Sequence, residues 1–131
     1  MKKLSFNADV LKSKMAIHAL CESPIEQELG SHLFDYGGGE FTIIPQYRFG
    51  PYRFDFAICD DKARPYIFIE CDGKEFHSSP EEMERDIEKT KHAEEKGVPL
   101  FRMSGSVIHR AGAPIAEAAI SLARAVRGQR K

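Results

Sequence analysis

The sequence contains few cysteines and no long run of apolar residues. No apolar stretch approaches the roughly 18 to 20 residues that a membrane-spanning helix needs, and the opening segment MKKLSFNADVLKSK lacks the apolar core of a secretion signal. The three cysteines are odd in number and show no C-x-x-C spacing, which argues against a disulfide framework and a structural zinc cluster. We therefore expect a cytoplasmic protein without a membrane segment, in which Cys21, Cys59 and Cys71 are small buried hydrophobic side chains.

The length and composition indicate a single domain. At 131 residues, with 42% hydrophobic and 30% charged residues, the chain has the size and balance of one globular unit. Its net charge of −1 hides an uneven distribution, because basic residues dominate both ends and acidic residues dominate the centre. Basic ends either contact nucleic-acid phosphates or are simply solvated, and an acidic centre repels phosphates unless a bound cation neutralises it.

The hydrophobic spacing predicts the order helix, helix, three strands, helix, strand, helix. The predicted helices cover residues 7–20, 24–36, 80–96 and 114–127. The predicted strands cover residues 41–48, 53–59, 66–72 and 98–103. Short turns join the first three strands into an antiparallel meander, and the fourth strand returns after a helical crossover to lie parallel to its neighbour. The expected fold class is α/β (α+β), with a mixed sheet flanked by helices.

Three carboxylates lie where two adjacent strands are predicted to pair. Asp55 stands among small residues on one face of the second strand, and Glu70 and Asp72 share a face of the third, because strand side chains alternate. Burying three like charges beside the apolar run 66–69 is costly without a counter-ion. Carboxylate and carbonyl oxygens are the ligands that Mg²⁺ and Mn²⁺ prefer. The spacing therefore predicts either such a metal site or strand-end acids that are ionised in solvent.

The chain also carries a series of short motifs in a defined order. They are Ser23-Pro24-Ile25-Glu26, Asp55, Ile69-Glu70-Cys71-Asp72-Gly73 followed by His77, Arg85-Asp86 with Lys89, and Gly97-Val98-Pro99-Leu100-Phe101-Arg102. In this combination they resemble the PD-(D/E)XK nuclease superfamily, and within it the small domains related to very-short-patch-repair endonucleases. The resemblance implies a restriction-endonuclease-like core over residues 23–103, an N-terminal helical extension over 1–22, and a C-terminal helix with a basic tail over 104–131.

The resemblance implies metal-dependent hydrolysis of DNA phosphodiester bonds, with DNA repair as a setting. Asp55, Glu70 and Asp72 correspond to acids that hold Mg²⁺ or Mn²⁺, together with the carbonyl of Cys71. Glu26 corresponds to a helix acid that supports the attacking water, or it is only the capping-box acid of its helix. The cation is expected to polarise the scissile phosphate and to lower the pKa of a bound water.

The chain departs from the superfamily pattern at one catalytic position. The signature lysine normally follows its acid by two positions, and here that position is Asp72. The basic group must then come from Lys74, His77 or Lys89. His77 is also explained as an ordinary loop side chain, and Lys89 as a partner of acids on a solvated helix face.

Basic residues on and after the third helix are candidates for phosphate contacts. The basic positions that recur at helical spacing are Arg85, Lys89, His92 and Lys96. The candidate DNA contacts are Arg85, Arg102 and Arg110. The many glutamates on the same helix favour a salt-bridged surface instead of a phosphate track.

The expected partner is DNA, and no membrane partner is expected. A small domain that cuts both strands usually needs to form a homodimer, whereas a nicking enzyme does not, and the sequence is consistent with either. Two other functions stay open. One is a nucleic-acid-binding module with a degenerate site, and the other is a protein-interaction domain whose acids are structural.

Overall fold

The computed structural model of the protein describes residues 13–72 and 79–130. The helices are α1 (Lys14–Leu20), α2 (Pro24–Gly37), α3 (Pro80–Glu95) and α4 (Gly105–Gln129). The strands are β1 (Thr42–Phe49), β2 (Tyr52–Cys59), β3 (Pro65–Asp72) and β4 (Leu100–Ser104). This is the predicted order of elements, although the part of the first predicted helix before Ser13 lies outside the described residues. Among the described residues, no helix has the length and apolarity to cross a membrane.

The four strands form one mixed sheet in the order β1-β2-β3-β4. β1 pairs with β2 and β2 pairs with β3 in antiparallel fashion, as a meander does. After the α3 crossover, β4 lies parallel to β3 and places Arg102 beside Glu70. The structure confirms the predicted fold class, a mixed sheet flanked by helices.

Local sequence signals fix the ends of the two helices that border the site. Ser23 Oγ accepts a hydrogen bond from the N–H of Glu26 at the start of α2. Ser79 and Glu82 form a reciprocal capping box at the start of α3. α3 ends just before Gly97, whose φ of 78° lies in the left-handed region that glycine adopts readily.

The last helix is longer than the segment 114–127 that its apolar spacing predicts. α4 begins directly after Ser104, whose Oγ accepts a hydrogen bond from the N–H of Val107 at 3.3 Å. Pro114 lies inside the helix, and Ala111 has non-helical angles, with φ −143° and ψ 36°. Proline lacks an N–H, and its ring clashes with the carbonyl four positions earlier, so we attribute the kink to Pro114.

Two apolar layers cover the faces of the sheet. The α2/α4 layer, between the sheet and helices α2 and α4, includes Leu29, Leu33, Phe56, Ile58, Ile69 and Ile120. The α3 layer, on the side of helix α3, includes Ile44, Phe54, Ala57, Phe68 and Ala93. Each large side chain buried in these layers stabilises the fold by roughly 1.5–3 kcal/mol.

The side-chain alternation of β2 shifts at Asp55. Regular alternation predicts that Phe54 shares a face with Phe56 and Ile58, and this prediction is wrong. Phe54 lies in the α3 layer and stacks on Phe68 with ring centroids 3.9 Å apart, whereas Phe56 and Ile58 lie in the α2/α4 layer. Asp55 therefore lies at the position where the side-chain alternation of β2 is interrupted.

The alternation of β1 shifts directly opposite, at Gln46. Ile44 and Tyr47 both contact the α3 layer, although residues three positions apart face opposite ways in a regular strand. Gln46 has a φ of 52°, in the left-handed region that residues other than glycine seldom adopt. It lies between the neighbouring pairs of the β1–β2 register and therefore faces Asp55 across the ladder.

We expect Gly37→Ala to lower the free energy of unfolding by about 1–3 kcal/mol, because the packing of α2 on α4 has no room for a side chain there. An added Cβ would overlap Ile120 Cδ1 and lie 2.9 Å from Ile120 Cγ1, and Ile120 is only 1% exposed. Gly39→Ala is the matched control, since no atom lies within 4 Å of its added Cβ. Urea unfolding measures both variants, and an unchanged stability of Gly37→Ala would contradict the close packing of these helices.

Candidate functional site

β2 and β3 stop pairing through their backbones where the two predicted acids lie. The backbone register between them ends with the pair Phe56 and Ile69. Beyond this pair, the N–H of Asp55 donates to Glu70 Oε2 at 2.8 Å, and the N–H of Cys71 donates to Asp55 Oδ2 at 2.7 Å. Each carboxylate thus takes the place of a backbone carbonyl of its own strand, as the acceptor for an N–H of the other strand. The structure brings Asp55 and Glu70 together in one hydrogen-bonded acid pair.

Helix α3 supplies a lysine to this acid pair. Lys89 Nζ lies 2.5 Å from Glu70 Oε1 and 4.7 Å from the centroid of the Phe54 ring. The side chains of Lys89 and Glu70 are only 14% and 11% exposed. Lys89 is therefore not a solvated surface lysine. The other two candidate bases, Lys74 and His77, lie outside the described residues.

Glu26 is buried beside the acid pair, with an exposure of 6%. Its Oε1 accepts hydrogen bonds from Gln46 Nε2 at 2.8 Å and from the N–H of Glu22 at 3.1 Å. A capping-box acid bonds instead to the N–H of the cap residue, here Ser23, so the capping-box explanation of Glu26 is wrong. The carboxylate of Glu26 is held by a strand side chain and by the chain preceding its helix.

Sequence reasoning missed Gln46. Its signal in the sequence is modest, since it is one amide side chain that follows the apolar segment Phe41-Thr42-Ile43-Ile44-Pro45. Its importance depends on the left-handed backbone and on the distance to Glu26, and neither is visible in the order of residues.

Asp72 is engaged by an arginine instead of by the acid pair. Arg102 on β4 lies 3.5 Å from Asp72 Oδ1 and 3.6 Å from Asp86 Oδ1. The structure therefore does not include Asp72 in the hydrogen-bond network of Asp55 and Glu70. The same contacts occupy Arg102, which was expected to contact phosphate, between two acids. Its side chain is 27% exposed.

The predicted basic stripe of α3 does not form a continuous phosphate track. Lys89 points to Glu70, and the ring of His92 packs against Phe49 and Tyr52 at centroid distances of 5.7 and 5.3 Å. Arg85 is exposed on this helix, and Arg110 is exposed on α4. These two arginines are the accessible members of the predicted set of DNA contacts.

The acid pair carries negative charge that its surroundings compensate only partly. Burial raises the pKa of Asp55 to about 7, and the charges of Glu70 and Glu26 add to the increase. The N–H of Cys71 and the ammonium of Lys89 act in the opposite direction. In the metal-free protein, the environment of Asp55 therefore disfavours its ionised form.

The cysteines near the site do not supply thiolates. Burial raises the pKa of Cys21 to about 12, and burial together with Asp55, Glu26 and Glu70 raises the pKa of Cys71. Of the three cysteines, Cys59 is buried as predicted, whereas Cys21 and Cys71 are half-buried. Only the backbone of Cys71 is a candidate ligand.

The oxygen atoms of the site fit a hard divalent cation. Within residues 13–72 and 79–130, no three His, Cys, Asp or Glu side chains are grouped as metal ligands. Mg²⁺, however, is usually held by only one or two carboxylates, with waters and substrate phosphates completing its shell. Asp55 Oδ1 accepts no hydrogen bond from the described residues, and the raised pKa of Asp55 reflects a charge that a cation would neutralise. The Cys71 carbonyl is the adjacent neutral donor.

The mixed sheet flanked by helices, with an acid pair on its two central strands and a lysine that reaches the pair from α3, is typical of a nuclease-like domain of the restriction-endonuclease type. The sequence profile of REase_MTES_1575, a restriction endonuclease-like family, matches residues 26–117. The match covers most of the chain, and the protein therefore belongs to this family. Comparisons with curated proteins and with solved structures gave no match.

We expect Asp55→Asn to stabilise the metal-free protein at neutral pH by about 1–3 kcal/mol. Because the folded pKa of Asp55 is about 7 and the unfolded value is about 4, the folded state binds more protons between these values. Stability therefore falls as the pH rises through this window, and asparagine removes that loss while its amide oxygen still accepts the N–H of Cys71.

The measurement is thermal or urea unfolding in a chelating buffer from about pH 4 to pH 8. Asp61→Asn is the matched control, because Asp61 is exposed. The difference in stability between Asp55→Asn and the wild type should grow between the two pKa values and then level off. A constant difference at all pH values would contradict the buried, charge-coupled environment of Asp55.

Proposed function

We propose that this protein is a divalent-metal-dependent DNA endonuclease. The observation that carries the proposal is the acid pair of Asp55 and Glu70 with the ammonium of Lys89 on Glu70. Membership of a restriction endonuclease-like family supports the same conclusion. A buried Glu70 with a half-buried acid and a half-buried lysine beside it is costly to maintain for stability alone, because uncharged residues of similar size usually serve a core as well.

Asp55, Glu70 and the Cys71 carbonyl are the groups that would hold Mg²⁺ or Mn²⁺. The bound cation would polarise the scissile phosphate and lower the pKa of a water, which is the usual chemistry of metal-assisted phosphodiester hydrolysis. We assign no ligand role to Asp72, since Arg102 already balances its charge.

Lys89 takes the place of the signature lysine in this proposal. Its ammonium reaches the acid pair from a helix, so a lysine two positions after Glu70 is not needed. The contact with Phe54 limits the number of positions that the ammonium can adopt. Held there, Lys89 orients the attacking water or stabilises the negative charge that develops on the phosphate.

Glu26 is the proposed acceptor for a hydrogen bond from the attacking water. Its burial and its electrostatic influence on Asp55 place it beside the acid pair. Arg85 and Arg110 are the proposed contacts to the DNA backbone, because they are exposed. Contacts of this kind position the duplex and carry no sequence information.

The direct test is cleavage of supercoiled plasmid DNA in Mg²⁺ or Mn²⁺. We expect nicking or linearisation that requires the metal and falls by at least about 100-fold in Glu70→Ala. Cys71→Ala should retain cleavage within about 3-fold, since only the backbone carbonyl of this residue takes part. Cleavage that survives Glu70→Ala would come from a contaminating nuclease. Metal binding by the wild type without any cleavage would favour a degenerate nucleic-acid-binding module.

Replacing Lys89 should separate metal binding from catalysis. Lys89→Met keeps an unbranched apolar side chain beside Phe54 and removes the ammonium, which then no longer competes with a cation for Glu70. We expect Mn²⁺ to bind more tightly. Cleavage should fall by about 100-fold, because the ammonium that orients the water or stabilises the charge on the phosphate is lost. Calorimetry with Mn²⁺ and the plasmid assay measure the two effects.

Lys91→Met is the matched control on the same helix, because Lys91 is exposed. It should leave both quantities unchanged. Equal losses of cleavage in the two variants would mean that Lys89 acts only through the general charge of α3. Weaker Mn²⁺ binding by Lys89→Met would contradict the competition for Glu70.

A further inference from the structure

Gln46 has a left-handed backbone conformation, which is unusual for a residue inside a β-strand. It lies inside the strand, where the ladder favours extended angles, and yet its φ is 52°. Glycine would adopt this conformation without steric cost. A glutamine at this position therefore indicates that its side chain is needed.

The side chain of Gln46 acts on one group in the site. Its Nε2 donates to Glu26 Oε1 at 2.8 Å, and the N–H of Glu22 donates to the same oxygen. Oε1 is thus fixed from two directions, whereas Oε2 accepts no hydrogen bond from the described residues. The Glu26 carboxylate is therefore fixed through Oε1, and Oε2 is available to accept another hydrogen bond.

The backbone of Gln46 connects this arrangement to the acid pair. Gln46 faces Asp55 across the β1–β2 ladder, and both strands shift their side-chain alternation at this level. The shift moves Phe54 into the α3 layer, where its ring contacts Lys89. One residue therefore borders both Glu26 and the strand position that carries Asp55.

We propose that Gln46 is a positioning residue, which fixes the Glu26 carboxylate so that its second oxygen accepts a hydrogen bond from the attacking water. The inference rests on the proposed nuclease function. Gln46 itself touches neither the substrate nor the reacting atoms. Its loss should lower the rate of the chemical step and leave the binding of DNA and of the metal largely intact.

The test combines two substitutions at this position. Gln46→Gly removes the amide and also relieves the backbone strain, and Gln46→Met removes the amide but keeps the length of the side chain. We expect kcat to fall by about 10- to 100-fold in both variants, as is typical when the partner of a functional group is lost. KM for DNA and the Kd for Mn²⁺ should change by less than about 3-fold.

A measurement of stability separates the loss of catalysis from a loss of the fold. Gln46→Gly relieves the left-handed backbone but removes one donor to the buried Glu26, so its unfolding temperature should stay close to that of the wild type while its kcat is low. Ala63→Gly is the matched backbone control, because Ala63 has a φ of 63° in the turn between β2 and β3 and makes no side-chain hydrogen bond. It should relieve similar strain and retain the kcat of the wild type.

A double-mutant cycle with Glu26→Gln shows whether Gln46 acts through Glu26. In the Glu26→Gln background, Gln46→Gly should lower kcat by no more than about 2-fold further. The amide NMR signal of Glu22, which donates to the same oxygen, should shift in Gln46→Gly and in Glu26→Gln but not in Ala63→Gly.

Three results would overturn the inference. The first is a wild-type kcat in Gln46→Gly, and the second is a double variant whose loss of kcat equals the product of the two single losses. The third is a Glu22 amide signal that does not shift in Gln46→Gly. A wild-type protein that cleaves no DNA with either metal would instead reject the nuclease function, and the positioning role with it. The behaviour of the wild type thus distinguishes the two failures.

Discussion

The carboxylates of the half-buried Asp55 and the buried Glu70 each accept a hydrogen bond from a backbone N–H of the neighbouring strand, and much of the surrounding structure accommodates this arrangement. Asp55 and Glu70 end the regular ladder between β2 and β3, since their side chains occupy positions that backbone carbonyls would otherwise fill. Each carboxylate accepts a backbone hydrogen bond through one oxygen, but the two negative charges remain close together. The neighbouring elements therefore have to supply positive charge, as buried acids generally require.

The topology of the chain explains how that positive charge arrives. The crossover from β3 to β4 carries α3 over the face of the sheet on which Phe54 and Phe68 lie, so Lys89 reaches Glu70 from above a stacked aromatic pair. The parallel register then places Arg102 beside this region, where it compensates Asp72. Arg102 lies between Asp72 and Asp86, and, in the part of the chain that the structure describes, the acid pair of Asp55 and Glu70 receives only Lys89.

The sequence predicts those features that depend on local patterns. Serine caps, a glycine stop and apolar periodicity give the order of elements, and the spacing of Asp55 and Glu70 on paired strands predicts that they meet. Features that depend on tertiary geometry escape prediction. The shift in side-chain alternation at Asp55, opposite the left-handed Gln46, places Phe54 on the other face from Phe56 and Ile58. The continuation of α4 through Pro114 depends on a kink at Ala111, and the proline by itself is equally compatible with a helix that starts there.

The crossed hydrogen bonds also make two backbone amides into reporters of the site. Most amides of a sheet donate to carbonyls, whose acceptor strength does not depend on pH. The amides of Asp55 and Cys71 donate to carboxylates, which weaken as acceptors when they gain a proton. Their chemical shifts and hydrogen-exchange rates therefore register the ionisation of the acid pair directly, residue by residue, in the intact protein and without a bound probe.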